Sequence, residues 1–290
     1  MAASRVILIT GCSSPQGIGF ATARELAHAG HEVHATVRDH GHDAELREGL
    51  ERRLRIHDLD LRDGAGVKAI VSEIANLEVL INNAGYGLIG GIEQTDLARV
   101  RENFETNVFA TVALIQEVLP AMRERRSGHI VNVTTIFAAG LCLPATGYYV
   151  ATKAALETIG QALAIEAAPW NVRVTNFQPG PVLTDLSREW GTRLQGAGDP
   201  RPELSDELYR WVLDGDGPAP QSPREVAEAL RRLVEQEPAP IAQQSGDAAR
   251  AYVAAALHDP TRERELAPLL TAFDRSWADT RASAVSDEPG

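Results

Sequence analysis

Lysine is nearly missing from this chain. Two occur in 290 residues, Lys68 and Lys153, and every other basic residue is Arg. Acidic residues outnumber basic ones, 40 Asp and Glu against 28 Lys and Arg, for a formal net charge of -12. Nucleic acids and anionic membranes attract basic surfaces, so neither is an expected partner. Cysteine is equally scarce: Cys12 and Cys142 cannot build a disulfide framework and are expected as free thiols in a reducing compartment. No apolar run approaches the roughly 18 residues that cross a bilayer, and a strand pattern begins within about five residues of the start, so neither a span nor a signal peptide is expected. Together these absences predict a cytoplasmic protein. His40 and His42 with Asp43 read as a solvated loop, and no metal site is expected.

What is present is apolar material in an ordered alternation. Hydrophobic residues make up 44% of the chain, ample for one large domain. Short β-branched runs at 6–10, 33–37, 54–59, 79–82, 130–134 and 172–177 alternate with helical periods. That order predicts an α/β fold: a Rossmann-type, doubly wound parallel sheet with right-handed crossovers, helices on both faces and ligands at the carboxyl ends of the strands. One domain is expected over 1–280. Within it, 186–222 reads as a substrate lid carrying Trp190, Tyr209 and Trp211, 223–235 and 262–279 as helices, and 281–290 as a tail without a packing pattern.

Lys153 stands four residues after Tyr149 at the start of an alanine-rich helical stretch. With so few of either residue, chance would place about 0.03 such Tyr-x-x-x-Lys pairs in the chain. Residues i and i+4 share one helix face, so phenol and ammonium project side by side. A fixed positive charge favours the phenolate and is expected to lower the tyrosine pKa towards the working pH, suiting acid–base chemistry on a carbonyl or alcohol. Tyr148, offset from this face, reads as structural or pocket-lining, and Cys142 as a pocket-wall residue. The first strand runs into TGCSSPQGIG, where Gly11, Gly17 and Gly19 permit tight turning and close approach of a dinucleotide pyrophosphate to a helix N-terminus. An ordinary glycine-containing loop is the alternative. The second strand ends at Arg38 with no acidic residue before it, which suits a ribose 2′-phosphate and hence NADP(H), or else a solvated arginine.

Taken in order, TGCSSPQGIG, Asp60-Leu61, Asn82-Asn83-Ala84-Gly85, Asn107, Tyr149 with Lys153, and the PGPVLT run from Pro179 to Thr184 resemble the short-chain dehydrogenase/reductase family, in particular its hydroxysteroid and retinol dehydrogenase-like branch. The resemblance covers roughly residues 5–185. It implies that Gly11, Ser13, Ser14, Gly17, Ile18 and Gly19 form the phosphate-binding turn, with Ser13 and Arg38 on the adenosine phosphate. Asp60 and Leu61 would hold adenine, and Asn83, Ala84 and Gly85 would line the ribose side. Pro179, Gly180, Val182 and Thr184 would contact nicotinamide, with Lys153 also binding its ribose. Asn107 would support a water relay to Lys153.

Three departures from the family pattern stand out. Pro15-Gln16 lengthens the glycine-rich loop, and Pro15 brings no N–H to it. Thr134 and Thr135 occupy the place of the family's catalytic Ser, with Thr135 preferred over Thr134. Thr135 precedes Tyr149 by fourteen residues, one more than is customary, which one extra loop residue would reconcile.

The expected function is an NADPH-dependent oxidoreductase interconverting a bulky apolar ketone or aldehyde and its alcohol. Tyr149 acts as general acid and base, Lys153 tunes it, Thr135 steadies the oxyanion and Asn107 assists proton resupply. The alternatives are a redox-neutral dehydratase, isomerase or cyclase, and a silent NADP(H)-binding regulator. Ala151, Ala154, Ala155, Ala162 and Leu163 give the helix after Tyr149 more small and apolar positions than one stripe needs, so a homodimer or homotetramer is expected.

Overall fold

Successive side chains of a strand point to opposite faces, and β1 (Val6–Ile9) shows how both faces are covered. Ile7 and Ile9 pack in one apolar layer with Phe20, Ala23 and Leu26 of α1 (Ile18–His28), and Leu8 lies in the opposite layer. A near-continuous apolar strand buried on both faces is what a parallel sheet requires. The computed structural model describes residues 3–140, 142–143, 145–185 and 219–258.

The sheet has seven parallel strands in the order β3-β2-β1-β4-β5-β6-β7. They are β1, β2 (Glu32–Val37), β3 (Leu54–Asp58), β4 (Val79–Asn82), β5 (Gly128–Val133), β6 (Val172–Gln178) and β7 (Ala242–Gln244). Helices α2 (Asp43–Arg47), α3 (Gly64–Glu73), α4 (Leu97–Phe104), α5 (Ala110–Arg125), α6 (Ile136–Ala139), α7 (Gly147–Ala167), α8 (Pro223–Glu235) and α9 (Gly246–His258) connect and cover them. Strand order reverses between β1 and β4, the switch point beside which α/β sheets bind ligands.

The six sequence-predicted strands are all present within two residues of their expected ends, and the expected helix at Pro223–Glu235 matches at both. Ser222 caps that helix reciprocally with Glu225, and Pro223 takes the first helical position, where its missing N–H costs nothing. β7 is an addition: Ala-Gln-Gln carries no strand signature and is held by pairing to β6. Of the expected lid over 186–222, all but its last four residues lies outside the described residues, Trp190, Tyr209 and Trp211 included, as do the helix at 262–279 and the tail.

Candidate active site

At the switch point the ends of β1 and β4 are stitched together. Thr10 Oγ1 accepts from the N–H groups of Asn83 (3.1 Å) and Ala84 (3.0 Å), while Asn83 Nδ2 donates to the carbonyls of Thr10 (2.9 Å) and Gly11 (3.1 Å). Gly11 has φ +77°, and a Cβ there would stand 2.7 Å from Ala84 Cα, so both conformation and space exclude a side chain. Inserted Pro15 and Gln16 form the corner of a turn closed by Gly17 N–H donating to Ser14 O at 2.8 Å. Proline suits the second position of such a turn, so the longer loop folds back on itself without an unpaired amide at Pro15. A Cβ on Gly19 would strike the Gly11 carbonyl and Asn83 Nδ2, which identifies Gly19 as a close-packing position behind the loop.

Two cavities meet at this loop, sharing Gly11, Ser14, Asn83 and Gly85. One, of about 220 Å³, is lined by Ser13, Arg38, Asp60, Leu61, Ala84 and Tyr86 among others. Ser13 Oγ accepts from the amides of Arg38 (3.0 Å) and Asp39 (3.3 Å), holding the end of β2 against the glycine-rich loop. Asp60 is clamped by Arg62, whose Nη2 lies 2.6 Å from Oδ2, and that hydrogen bonding holds its carboxyl down at about 2. The other cavity, of about 240 Å³, is lined by Gly17, Ile18, Thr134, Thr135, Tyr149, Lys153, Pro179, Gly180, Val182 and Thr184 among others. A groove of this form, walled by glycines at its waist, fits a dinucleotide, with Arg38 and Asp60 at one end and Tyr149 and Lys153 at the other. Of the expected site residues, Gly19 and Asn107 line neither cavity.

Tyr149 and Lys153 lie in the first two turns of α7. Lys153 Nζ donates to Val133 O at 2.9 Å and lies 5.9 Å from the centre of the Tyr149 ring. The expected lowering of the phenol by the ammonium is not what the isolated chain shows. Burial pushes Tyr149 up to about 12 and pulls Lys153 down to about 8, because each loses the water that would solvate its charged form.

The adjacent threonines divide two roles. Thr134 Oγ1 donates towards Glu157 Oε2 (2.9 Å) and Phe177 O (3.2 Å), so its proton is committed inside the fold. Thr135 Oγ1 accepts from Phe137 N–H (3.4 Å) as the N-cap of α6, which leaves its own hydrogen for another acceptor. Ile136 is fully buried in the apolar cluster behind them.

Asn107 sits behind the wall on a π-helical turn, Glu105–Phe109. Its Oδ1 accepts from Tyr86 N–H, and its Nδ2 donates to Tyr86 O and Thr152 Oγ1, each at 3.0 Å. Thr152 Oγ1 in turn donates to Tyr149 O at 2.7 Å.

Phe137 and Asp185 line the second cavity without having been singled out in the sequence, and Pro181 lines it as part of the expected run from Pro179 to Thr184. Asp185 Oδ2 accepts from Ser14 Oγ, across the loop from Gly17. Its position directly after Thr184 was the available signal. Cys142, expected in a pocket wall, is exposed and lines neither cavity, because the chain after α6 turns it outward. Tyr148 hydrogen-bonds Ile92 O at 3.0 Å and lines neither. His40 pairs with Asp43 at the surface, and among the described residues no cluster of His, Cys, Asp and Glu is built to hold a metal ion.

A sequence profile described as short chain dehydrogenase matches residues 5–195. Human retinol dehydrogenase 8 is 33% identical over 261 residues, which cover 84% of this chain and 82% of that protein. Estradiol 17-beta-dehydrogenase 1 of Rattus norvegicus is 37% identical over 222 residues, 72% of this chain and 62% of that protein. The crystal structure of a short-chain dehydrogenase from Streptomyces avermitilis superposes with a TM-score of 0.75 at 29% identity, covering 97% of this chain and 99% of that one.

Proposed function

The chain belongs to the short chain dehydrogenase family, whose members are nicotinamide-dependent oxidoreductases of CH–OH and carbonyl groups, and from that premise we propose that it uses NADP(H) to interconvert a bulky apolar ketone or aldehyde and its alcohol. The observation that carries this reading is the second cavity, where Tyr149, Lys153 and Thr135 converge beside apolar Phe137, Pro181 and Val182. Similar proteins named for retinol and estradiol, both bulky apolar alcohols, support the substrate class.

Bound nicotinamide supplies or accepts the hydride. Tyr149 holds the proton for the carbonyl oxygen, and burial keeps its phenol protonated at neutral pH. Lys153, still protonated below about pH 8, offers a compact positive charge that stabilises the phenolate left after proton transfer. Thr135 donates its hydroxyl hydrogen to the developing oxyanion. Asn107 supports proton resupply from behind the wall, holding Tyr86 and, through Thr152, the backbone of Tyr149. Arg38, which lines the other cavity, would pair with the 2′-phosphate of NADP(H). A cytoplasmic setting and a homodimeric or homotetrameric state belong to the same reading, supported by two unpaired thiols and by the exposed apolar residues of α4 and α7. Among the described residues no helix is long and apolar enough to cross a membrane.

The test has two parts. Fluorescence titration should show NADPH bound more tightly than NADH, with Arg38→Ala weakening NADPH by about 10- to 100-fold and leaving NADH nearly unchanged. Equal losses for both would remove the 2′-phosphate assignment. Absorbance at 340 nm, followed across steroid ketones, retinoids, polyketide ketones and fatty aldehydes, should find turnover. Silence across that panel with NADPH bound would turn the reading to redox-neutral chemistry.

A further inference from the structure

Three asparagines stand side by side on neighbouring strands, because Asn82 of β4 pairs in register with Asn132 of β5, and Asn132 with Asn176 of β6. All three are buried, and their amides form a ladder: Asn82 Nδ2 to Asn132 Oδ1 (2.9 Å), then Asn132 Nδ2 to Asn176 Oδ1 (3.2 Å). Asn176 Nδ2 ends the run on the backbone carbonyl of Glu157 in α7, at 2.7 Å. Gly160 makes this approach possible, since a Cβ there would strike Asn176 Oδ1.

The Glu157 side chain, 6% exposed, continues the network with its carboxylate. Oε2 accepts from Thr134 Oγ1 at the end of β5, and Oε1 from Gln178 Nε2 (2.8 Å) at the end of β6. Gln178 Oε1 accepts from Gln244 Nε2 of β7 (2.6 Å). Neither carboxylate oxygen has a cationic partner in these bonds. A buried carboxylate is costly, and an apolar side chain of similar volume would fill the position at lower cost. What an apolar side chain cannot do is accept from two strands at once.

Those two strands carry the nicotinamide end of the groove. Thr135 follows Thr134, Pro179 and Gly180 follow Gln178, and Val133 O takes the Lys153 ammonium one helical turn before Glu157. We infer that Glu157 is a positioning residue: its two carboxylate oxygens fasten the carboxyl ends of β5 and β6 to the helix that bears Tyr149 and Lys153, holding the nicotinamide half of the groove in shape. This inference rests on the reading that the groove takes NADPH.

Binding separates the possibilities. NADPH spans the groove, whereas adenosine 2′,5′-bisphosphate reaches only the end lined by Arg38 and Asp60. Glu157→Leu should weaken NADPH about 10-fold in a fluorescence titration and leave adenosine 2′,5′-bisphosphate within twofold by calorimetry. Glu157→Gln should restore NADPH to within about threefold, because its oxygen still accepts from Gln178 and its amide donates to a reversed Thr134 hydroxyl. Thr134→Val, which takes from the Glu157 carboxylate one of its two donors, serves as the milder variant where Glu157→Leu does not fold, and should weaken NADPH about threefold with the same selectivity. Equal weakening of both ligands, or NADPH unaffected in Glu157→Leu or, failing its folding, in Thr134→Val, would overturn the inference. Wild-type protein that fails to bind NADPH would instead overturn the cofactor reading.

Discussion

Tyr149 and Lys153 illustrate what spacing conveys and what it leaves out. Helical periodicity put both residues on one face, and there they are, yet the direction of each pKa is set by burial, which spacing does not record. Removing the phenol oxygen should therefore remove proton transfer alone: Tyr149→Phe is expected to lower kcat by 10²- to 10⁴-fold while NADPH affinity stays within about threefold. More than about a tenth of wild-type kcat in that variant would exclude Tyr149 as the proton donor. Lys153 predicts a pH dependence. Its folded pKa, about 8, lies below the ordinary 10.5, so burying the ammonium costs stability below pH 8, and the cost is relieved as pH rises from 8 towards 10.5. Tyr149 acts oppositely in a higher window, since its contribution is complete below pH 10 and lost between 10 and 12. Wild-type stability measured by urea unfolding should thus rise between pH 8 and 10 relative to Lys153→Met, by at most on the order of 3 kcal/mol. A flat difference would mean that the lysine is not buried as an ammonium. The choice between Thr134 and Thr135 was half legible: both hydroxyls were visible as candidates, whereas the commitment of Thr134 to Glu157 depends on a contact 23 residues away along the chain.

Elements whose residues encode their own geometry were readable, and those that borrow it from neighbours were not. Strands β1 to β6 are short apolar, β-branched runs between turns, and α8 announces itself through Ser222, Pro223 and Glu225. β7 and the asparagine ladder offer no such pattern. A polar residue inside a strand reads as a break unless the register of the next strand is known, and register emerges only once the sheet has formed. The lengthened glycine-rich loop carries a prediction of its own. Asp185 meets Ser14 beside the turn where the pyrophosphate of a dinucleotide would lie, and like charges at close range repel. Asp185→Asn keeps a hydrogen-bonding partner for Ser14 and removes the charge, so NADPH should bind about 3- to 10-fold more tightly at low salt, a difference that salt screening reduces. Unchanged affinity at every ionic strength would place the carboxylate away from the phosphates.

At the scale of the whole molecule, the question is what meets the outer faces of α4 and α7, two helices that pack against each other. Leu163, one of the residues expected to face a second copy, turns inward and belongs to the subunit's own core, as helical periodicity alone could not decide. Ala151 and Ala162 do face outward, and with them Leu97 is 54%, Phe109 57% and Ile165 74% exposed, large apolar side chains on neighbouring elements. Single exposed hydrophobics are ordinary, but one on each of α4, the π-helical turn that continues it and α7 marks a surface that water covers poorly. Small residues at Ala151 and Ala162 let a second helix approach closely, and a two-fold contact would bring each α7 against its copy. A formal charge of -12 on every chain opposes that association, so it should strengthen as salt screens the repulsion. Light scattering at micromolar concentration is expected to report a dimer or tetramer. Phe109→Asp with Ile165→Asp should shift it towards monomer and lower kcat, because α7 carries Tyr149 and Lys153 and loses the packing that stiffens it. A wild-type monomer with full activity would decide the opposite: these faces would serve the single chain, and catalysis would owe nothing to assembly.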